Sequence, residues 1–351
     1  MDPMTCHFLI LCTFHNMFGK ALLQEHVARL EAALELKLYA VGGCVRDIIL
    51  SRPVKDYDFT CKEKPEEIEA QIKKMGKRVY TIGKRFGTLT FKDDELGMIE
   101  ITSFRGETYT PGSRKPNVDF VDDLQTDLSR RDFTMNALAM DCDGTIFDLY
   151  GGQKNMDEKV IKCVGDPIAR FKEDPLRILR CIRFAVEMDF NIEKKIMDII
   201  PQVNHTLLSI SKERVVAEIE KMFKVSIPDT IQRLDDTDIL HILFPETNSD
   251  IFGPSCSAFL DEWQRQHEYA VQDVDKDTTT VIIESAKGWG VLLEYVATVV
   301  YCSTQGNQYY GDLGKEKRQA IYKDLVTKYA IHLRFANMRT SMLLQWELMN
   351  I

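Results

Sequence analysis

The 351-residue sequence lacks paired cysteine motifs and clustered histidines, and each absence excludes a class of site. Its nine cysteines are scattered and never occur in C-x-x-C spacing, which argues against a disulfide framework and a zinc site. The seven histidines are equally dispersed, so a histidine-based metal or nucleophile site is not expected. This usage favours reduced thiols and a cytoplasmic location.

Long apolar runs, low-complexity segments and internal repeats are also absent. The apolar stretch in residues 1–12 is too short to span a membrane and has no basic start, so we expect no membrane association and no targeting signal. Met17 offers an alternative start, which would make the residues before it non-essential. The net charge of −9 argues against a strong overall electrostatic attraction to nucleic acid, but it is compatible with a local basic track.

The most informative stretch of the chain joins a glycine pair to a pair of aspartates. A short apolar run ends at Gly42 and Gly43, Arg46 follows, and Asp56 and Asp58 come shortly after. If the second segment is a strand, its period of two places both carboxylates on one face. Such a pair suits magnesium, which prefers a few carboxylates plus substrate phosphates. Gly43 would let the backbone approach a phosphate, and Arg46 would supply a planar donor fork. Together these features predict a site for the triphosphate of a nucleotide.

Each of these features alone is also typical of an ordinary turn or strand end. A third acidic residue, Glu100, alternates with Ile99 and Ile101 in a predicted strand. Glu100 either completes a metal site on a neighbouring strand or belongs to the exposed face of an edge strand.

The hydrophobic periodicity of the first half of the chain predicts a small mixed sheet with flanking helices. Residues 106–123 are rich in turn formers and predict a long mobile loop. The predicted helices cover residues 20–36 and 65–75, and the predicted strands cover residues 79–82, 87–91 and 98–102.

The charged cluster at residues 130–132 has two interpretations. Ser129 or Asp132 could cap a helix, which would make the arginines part of a charged helix start. Alternatively, the arginines contact phosphate and Asp132 accepts a hydrogen bond from a ribose hydroxyl. The apolar face of the predicted helix would comprise Phe133, Met135, Leu138 and Ala139.

A second charged cluster begins at Asp174, which is a favourable N-cap, and Pro175 is a favourable first helical residue. Arg177, Arg180 and Arg183 recur every three residues and share one face of the predicted helix. These arginines form either a solvated basic stripe or a track along an anionic ligand. Asp174 and Arg177 together offer an acceptor and donors for the polar edge of a base. Further along the chain, residues 211–214 predict a capping box at a helix start.

Five motifs in this order resemble those of the nucleotidyltransferase superfamily. Within it they resemble the class II tRNA nucleotidyltransferases (CCA-adding enzymes) and their bacterial poly(A) polymerase relatives. The resemblance covers about residues 36–225, with a conservative departure at Ser103. The motifs are Gly42-Gly43-Cys-Val-Arg46-Asp47 with Asp56-Tyr-Asp58, Glu100-Ile-Thr-Ser-Phe104-Arg105, Arg130-Arg131-Asp132-Phe-Thr-Met-Asn136-Ala, Glu173-Asp174-Pro-Leu-Arg177-Ile-Leu-Arg180 and Ile210-Ser211-Lys-Glu213-Arg214.

The resemblance implies that the protein adds CCA to the 3′ end of tRNA from CTP and ATP without a nucleic-acid template. Asp56 and Asp58 would hold two Mg2+ ions, and Glu100 would assist as a metal ligand or a base. Asp174 and Arg177 would select the base. The other expected nucleotide-binding residues are Gly43, Arg46, Arg131, Arg180 and Arg183 for the phosphates and Asp132 and Asn136 for the sugar.

The implied fold is an α/β nucleotidyltransferase head followed by an all-α C-terminal half. We expect the head in residues 1–150, a helical neck with the nucleotide-selecting helix in residues 151–225, and a tRNA-binding body and tail in residues 226–351. The motifs are shared with A-adding enzymes and poly(A) polymerases, so these activities stay open. An inactive RNA-binding protein on the same fold is an alternative of another class. The oligomeric state is left open as well.

Overall fold

The computed structural model describes residues 3–109 and 116–243, together with residue 320, and it describes side chains from residue 18 onward. The predicted body and tail beyond residue 243 and the centre of the predicted mobile loop lie outside the described residues. The chain divides into two compact units, one ending at Glu173 and the other beginning at Asp174. The expected domain boundary at residue 150 falls inside the first unit.

The first unit contains ten strands and six helices within the described residues. The strands are β1 (Tyr39–Val41), β2 (Tyr57–Cys61), β3 (Val79–Tyr80), β4 (Thr88–Asp93), β5 (Gly97–Ser103), β6 (Arg105–Thr108), β7 (Asn117–Phe120), β8 (Leu138–Met140), β9 (Ile146–Asp148) and β10 (Val160–Ile161). The helices are α1 (Pro3–Leu34), α2 (Gly43–Ile49), α3 (Pro65–Lys74), α4 (Leu124–Ser129), α5 (Gly152–Asp157) and α6 (Pro167–Glu173).

Seven of these strands form one sheet with the order β3-β4-β5-β2-β1-β8-β9. Strands β2 and β5 are parallel, whereas the other neighbouring pairs are antiparallel. The predicted small mixed sheet with flanking helices is therefore confirmed, and so are the predicted helices near residues 20–36 and 65–75. Helix α1 contacts α2, α3 and β1. Its fully buried side chains recur at helical spacing, as expected for one apolar face, and they are Leu23, Val27, Leu30 and Leu34.

The structure corrects the predicted loop at residues 106–123. Strands β6 and β7 pair antiparallel from Arg105 opposite Phe120 to Thr108 opposite Asn117. The polar residues of this segment therefore form a two-stranded hairpin, in which β6 is mostly half-buried and β7 is mostly exposed.

The structure also contradicts the predicted helix that begins at Ser129 or Asp132. The segment contains a 3₁₀ turn at Thr134–Asn136 and then strand β8, which lies between β1 and β9. All three residues of β8 are buried. A strand buried on both faces has a continuous apolar run instead of an alternating one, and such a run is hard to distinguish from a buried helix by periodicity.

The second unit is helical over residues 174–243, apart from the two-residue strand β11, as the resemblance implied. Helices α7, α9 and α10 pack against one another. No helix of the described residues is both long and apolar enough to cross a membrane. The elements of this unit are α7 (Leu176–Met188), β11 (Asn191–Ile192), α8 (Lys194–Val203), α9 (Lys212–Phe223), α10 (Ile227–Asp236) and α11 (Ile239–Leu243).

Candidate active site

The three acidic residues predicted for the site lie on or next to two neighbouring parallel strands. Asp58 in β2 stands directly opposite Glu100 in β5. Asp56 immediately precedes β2 and is exposed, as is Glu100, whereas Asp58 is half-buried. The prediction that Glu100 lies on a strand beside the aspartate pair is therefore confirmed. Phe59, on the opposite face of β2, is buried in the core as expected.

The pKa of Asp58 reflects both its burial and the negative charges beside it. Burial raises the pKa of its carboxyl to about 6, and the neighbouring carboxylates of Glu100 and Asp56 act in the same direction. The Arg131 guanidinium opposes them. A carboxylate that is costly to ionise beside two others provides the charge and the oxygen donors that a divalent cation requires.

The aspartate pair suits a magnesium site that has few protein ligands. Within residues 3–109 and 116–243, no three His, Cys, Asp or Glu side chains are grouped closely enough to hold a metal ion. Magnesium is often bound through only one or two carboxylates, with substrate phosphates and water supplying the remaining oxygens. Asp56 and Asp58 fit that pattern, and the role of Glu100 as a metal ligand or a base stays a prediction.

The glycine pair forms the turn between β1 and α2, and two arginines lie against it. Gly42 has a φ of +73°, and its backbone N–H donates to the carbonyl oxygen of Leu138 at 3.1 Å. A Cβ at this position would lie 2.9 Å from Nη1 of Arg131, and one at Gly43 would lie 3.6 Å from Nη2 of Arg46. Gly42 is therefore the residue whose conformation requires glycine, a point that the sequence analysis missed.

The predicted sugar-binding residues Asp132 and Asn136 are buried and bonded to each other. Asp132 Oδ1 accepts hydrogen bonds from Asn136 Nδ2 at 3.0 Å and from the backbone N–H of Phe133 at 2.8 Å. Asn136 Oδ1 in turn accepts from Arg46 Nη1 at 2.7 Å. The structure thus brings three predicted residues into one chain of hydrogen bonds beside the glycine turn.

A buried ion network, which the sequence analysis missed, adjoins Arg131. Asp127 is fully buried and accepts from Arg130 Nη2 at 2.9 Å and from Arg131 Nη2 at 3.5 Å. Glu107 in β6 accepts from Arg105 and from Arg130. Asp127 lies three and four residues before the arginine pair, and this spacing could have indicated the ion pairs on a helix.

In the second unit, Asp174 stands at the start of α7 as predicted. Its Oδ1 atom accepts from the backbone N–H of Leu176 at 3.2 Å, and its backbone carbonyl accepts from the N–H of Arg177 at 3.0 Å. Its Oδ2 atom accepts from Arg214 Nη2, also at 3.2 Å. Arg177 is buried. Ser211 precedes α9 at the N-cap position, but its side chain makes no capping hydrogen bond, so the predicted capping box is not formed.

The three arginines of α7 have different surroundings, so the interpretation as a solvated stripe is wrong. Arg183 is buried and donates to Glu218 Oε2 at 2.6 Å and to Glu187 Oε2 at 2.8 Å. Arg180 is half-buried, with its guanidinium carbon 5.4 Å from the centroid of the Phe184 ring. The phosphate role expected of Arg183 stays a prediction, and its ion pair with Glu218 indicates a second role in joining α7 to α9.

Comparisons with known proteins match both units. A family model described as "Poly A polymerase head domain" matches residues 38–162, and one described as "Probable RNA and SrmB- binding site of polymerase A" matches residues 189–251. A CCA-adding enzyme of Enterococcus faecalis is 41% identical over 214 residues, which are 60% of this chain and 50% of that protein. One of Lacticaseibacillus paracasei is 36% identical over 271 residues, 77% of this chain and 62% of that protein.

The chain spans about half the length of several of the curated relatives that it matches. Among solved structures, the CCA-adding enzyme of Bacillus stearothermophilus in complex with CTP is 25% identical, with a TM-score of 0.52 over 89% of this chain and 77% of that one. The Thermotoga maritima CCA-adding enzyme complexed with tRNA has a TM-score of 0.59 over 99% of this chain and 79% of that one, and at 21% identity it supports the fold alone. With a poly(A) polymerase head domain in residues 38–162, the chain belongs to the tRNA nucleotidyltransferase/poly(A) polymerase family.

Proposed function

We propose that the protein is a template-independent RNA nucleotidyltransferase that completes the 3′ end of tRNA with CCA from CTP and ATP. The observation that carries the proposal is the arrangement around Asp58. This carboxylate is opposite Glu100, and Arg131, which acts on its pKa, lies against the Gly42 turn. Acidic groups beside a guanidinium and a backbone turn suit the transfer of a nucleotidyl group from a triphosphate. The curated relatives named as CCA-adding enzymes support the choice of reaction.

In this reaction the 3′-hydroxyl oxygen of the RNA attacks the α-phosphorus of the nucleotide, and the bond to the departing pyrophosphate breaks. Arg131, which lies against the glycine turn, would bind the triphosphate through its planar donor fork. Arg46 also lies against the turn and would contribute its positive charge, while its Nε donates to Asp47 Oδ1 at 2.9 Å. Arg180 is the further phosphate ligand, and Gly43 permits close approach of the backbone. Asp132 and Asn136 would bind the sugar while they hold Arg46 in place through the hydrogen bond to Asn136.

Asp56 and Asp58 are the proposed ligands of two magnesium ions. When bound there, magnesium would lower the pKa of the attacking hydroxyl and neutralise charge on the triphosphate. Glu100 is exposed and stands opposite Asp58, so we assign it the role of general base. Its carboxylate would accept the proton of the 3′-hydroxyl as the new bond forms.

Base selection is assigned to Asp174 and Arg177 in the second unit. A carboxylate offers only acceptors and a guanidinium only donors, so the pair can match the donor and acceptor pattern on the edge of cytosine or adenine. The hydrogen bonds from Leu176 and Arg214 hold the Asp174 carboxylate in one orientation. Because both bases must be accepted in turn, a fixed but shared set of polar groups is preferable to a pocket shaped for one base.

The proposal is tested with three tRNA transcripts that end at the discriminator base, at C and at CC. Each is incubated with magnesium and one labelled nucleotide, and generic oligo(A) RNA serves as the control primer. We expect C, C and A to be added in that order, after which addition stops. The absence of transfer to every primer would refute the proposal and support an inactive RNA-binding protein instead.

A second candidate is a poly(A) polymerase, which the descriptions of both matching family models favour. It predicts a growing tail on oligo(A), whereas an enzyme that adds only A would extend the CC-ending tRNA alone. The same assay therefore separates these activities. The cytoplasmic location expected from the sequence stays a prediction.

A further inference from the structure

Two residues of the β6–β7 hairpin contact the turn that precedes β4 in the first unit. The Arg105 guanidinium donates a hydrogen bond to the backbone carbonyl of Phe86. Phe120 lies over Gly87, where a Cβ would be only 2.8 Å from its ring. Gly87 has a φ of +83°, so the turn that receives the hairpin both requires glycine and leaves the space that the ring occupies. The base of the hairpin thus has a defined position relative to β4.

Glu107 extends this attachment toward the arginine pair. Its carboxylate accepts from Arg105 Nη2 at 2.9 Å, from Arg130 Nη1 at 3.1 Å and from the Tyr109 hydroxyl at 2.7 Å. Burial would raise the pKa of Glu107, but Arg130, Tyr109 and Arg105 outweigh burial and hold the pKa below its ordinary value. The group is therefore a carboxylate at neutral pH, and its charge is available to both arginines.

Asp127 continues the network to Arg131. Its Oδ1 atom accepts from Arg130 Nη2 at 2.9 Å and from the backbone N–H of Arg105 at 3.4 Å. Its Oδ2 atom accepts from Arg131 Nη2 at 3.5 Å. Because Asp127 is fully buried, its charge is screened little by solvent and fixes the arginines more strongly than a surface carboxylate would.

Arg131 joins this network to the proposed nucleotide site. Its Nη1 atom lies against Gly42, and its charge lowers the pKa of Asp58. Its Nε atom is buried without a hydrogen-bond partner among the described residues, so the Asp127 carboxylate does not use the whole donor fork. One edge of the guanidinium is held by Asp127, and other donors remain for an anionic ligand.

We infer that Glu107 and Asp127 are positioning residues that fix the Arg131 guanidinium against the Gly42 turn and connect it to the β6–β7 hairpin. The affinity for the triphosphate would then depend on the position of the hairpin, although no hairpin residue needs to touch the nucleotide. The identity of the ligand as a nucleoside triphosphate rests on the proposed function. The mechanical connection between hairpin and arginine rests on the contacts alone.

A double-mutant cycle tests whether Asp127 acts through Arg131. Equilibrium Kd values for CTP, and for inorganic tripolyphosphate as a probe without base or sugar, are measured for wild type, Asp127→Asn, Arg131→Ala and the double variant. We expect Asp127→Asn to weaken both ligands about tenfold and to have no further effect once Arg131 is replaced. An undiminished effect of Asp127→Asn in the Arg131→Ala background would overturn the inference.

Glu107→Gln is the second variant, because it changes the far end of the network and keeps the shape of the side chain. It should also raise both Kd values, and it should speed amide hydrogen exchange in residues 105–108 and 130–136 together in the absence of ligand. A purely structural role would change thermal stability without this joint change in exchange and affinity. Normal affinity with normal exchange in both Glu107→Gln and Asp127→Asn would overturn the inference.

Asp93→Asn is the matched control. Asp93 is also a buried carboxylate that pairs with an arginine, Arg29, and accepts backbone N–H groups. It lies three residues along β4 from Thr90, the partner of Glu100, and belongs to a separate ion pair. We expect Asp93→Asn to lower stability and leave both Kd values unchanged.

The tRNA assay is run in parallel on the wild type to separate the two proposals. Wild type that binds CTP but transfers nothing would refute the proposed function, and the binding cycle would still decide the inference. Wild type that binds neither CTP nor tripolyphosphate would refute both.

Discussion

Arg214 in α9 donates a hydrogen bond to Asp174 at the start of α7, with 3.2 Å between Nη2 and Oδ2. The contact joins two motifs that lie forty positions apart in sequence. The backbone N–H of Leu176 holds the other carboxylate oxygen. The carboxylate proposed to select the base is therefore oriented by a residue for which the sequence suggested only a structural role.

Asp174→Ala should blur the choice among CTP, ATP, UTP and GTP while some transfer remains. The change removes the acceptor proposed to match the base but leaves the residues around Asp58 unchanged. Discrimination should fall by about 10- to 100-fold, measured as the ratio of kcat/KM for CTP and UTP on a tRNA ending at the discriminator base. An unchanged ratio would show that Asp174 does not take part in selecting the base.

Arg214→Ala should produce a smaller loss of selectivity of the same kind, because Asp174 keeps its position but loses one of the groups that orient it. We expect about a 3- to 10-fold fall in the same ratio. Arg233→Ala is the control, since Arg233 also pairs with a carboxylate, that of Asp229 in α10, at 2.8 Å. Equal effects of the two substitutions would indicate a general loss of stability in this unit.

Asp56→Ala and Asp58→Ala should each abolish transfer of every nucleotide, with a loss of at least about 1,000-fold in kcat. Chelation of magnesium should have the same effect on wild type and should be reversed by added magnesium. Asp94→Ala is the control, because Asp94 is an exposed carboxylate paired with Lys77 away from β2. Near wild-type rates for Asp56→Ala would show that the metal assignment is wrong.

Asp58→Asn should make the magnesium-free protein more stable at pH 8. The pKa of Asp58 is raised to about 6, so the folded state binds its proton more tightly than the unfolded chain does. The stabilising contribution of that proton is complete below about pH 4 and is lost as the pH rises through about 6. Asparagine carries no charge, so the gain at pH 8 should be about 1 kcal/mol after a discount for solvent screening.

Urea unfolding with a chelator at pH 8 and at pH 4.5 measures this difference. The gain should shrink at the lower pH, where the Asp58 carboxyl of the wild type is largely protonated. A gain that is equal at both pH values would show that the pKa of Asp58 is not raised in the folded protein.

Gly42→Ala should weaken nucleotide binding as well as stability. The positive φ alone should cost about 1 kcal/mol, and the new Cβ would press on Nη1 of Arg131. Gly76→Ala is a close control, because Gly76 has the same φ of +73° and nothing within 4 Å of the added Cβ. We expect similar losses in the free energy of unfolding for both variants, but a raised Kd for CTP in Gly42→Ala alone. Equal Kd values for CTP in the two variants would show that Arg131 does not bind the nucleotide.

Arg183→Met should destabilise the protein by about 2 to 3 kcal/mol, because it leaves the buried Glu218 carboxylate with Lys221 as its remaining ion-pair partner. Arg180→Met should have a smaller effect on stability and a larger one on KM, since Arg180 is assigned to phosphate. Thermal unfolding and steady-state kinetics on both variants distinguish these roles. A large rise in KM for Arg183→Met at unchanged stability would instead support its predicted phosphate role.

Local patterns predicted the parts of the fold that depend on local chemistry. The amphipathic spacing of Leu23 to Leu34 and the proline at the start of α3 were sufficient, because side-chain period and capping are properties of neighbouring residues. The alternation around Glu100 correctly indicated a strand. Strand β8 was missed because a strand between two others is buried on both faces, which removes the alternation.

The sequence by itself determined which chemical groups the protein has for its site. It supplied the acidic pair at Asp56 and Asp58, the glycine turn, the arginines and the order of the motifs that marks the family. Only the tertiary structure decided which of these groups meet. It placed Glu100 opposite Asp58, Arg131 against Gly42 and Arg214 on Asp174, and it paired Arg183 with carboxylates. Strand pairing and buried ion pairs join residues far apart in the chain, and no local pattern encodes such contacts.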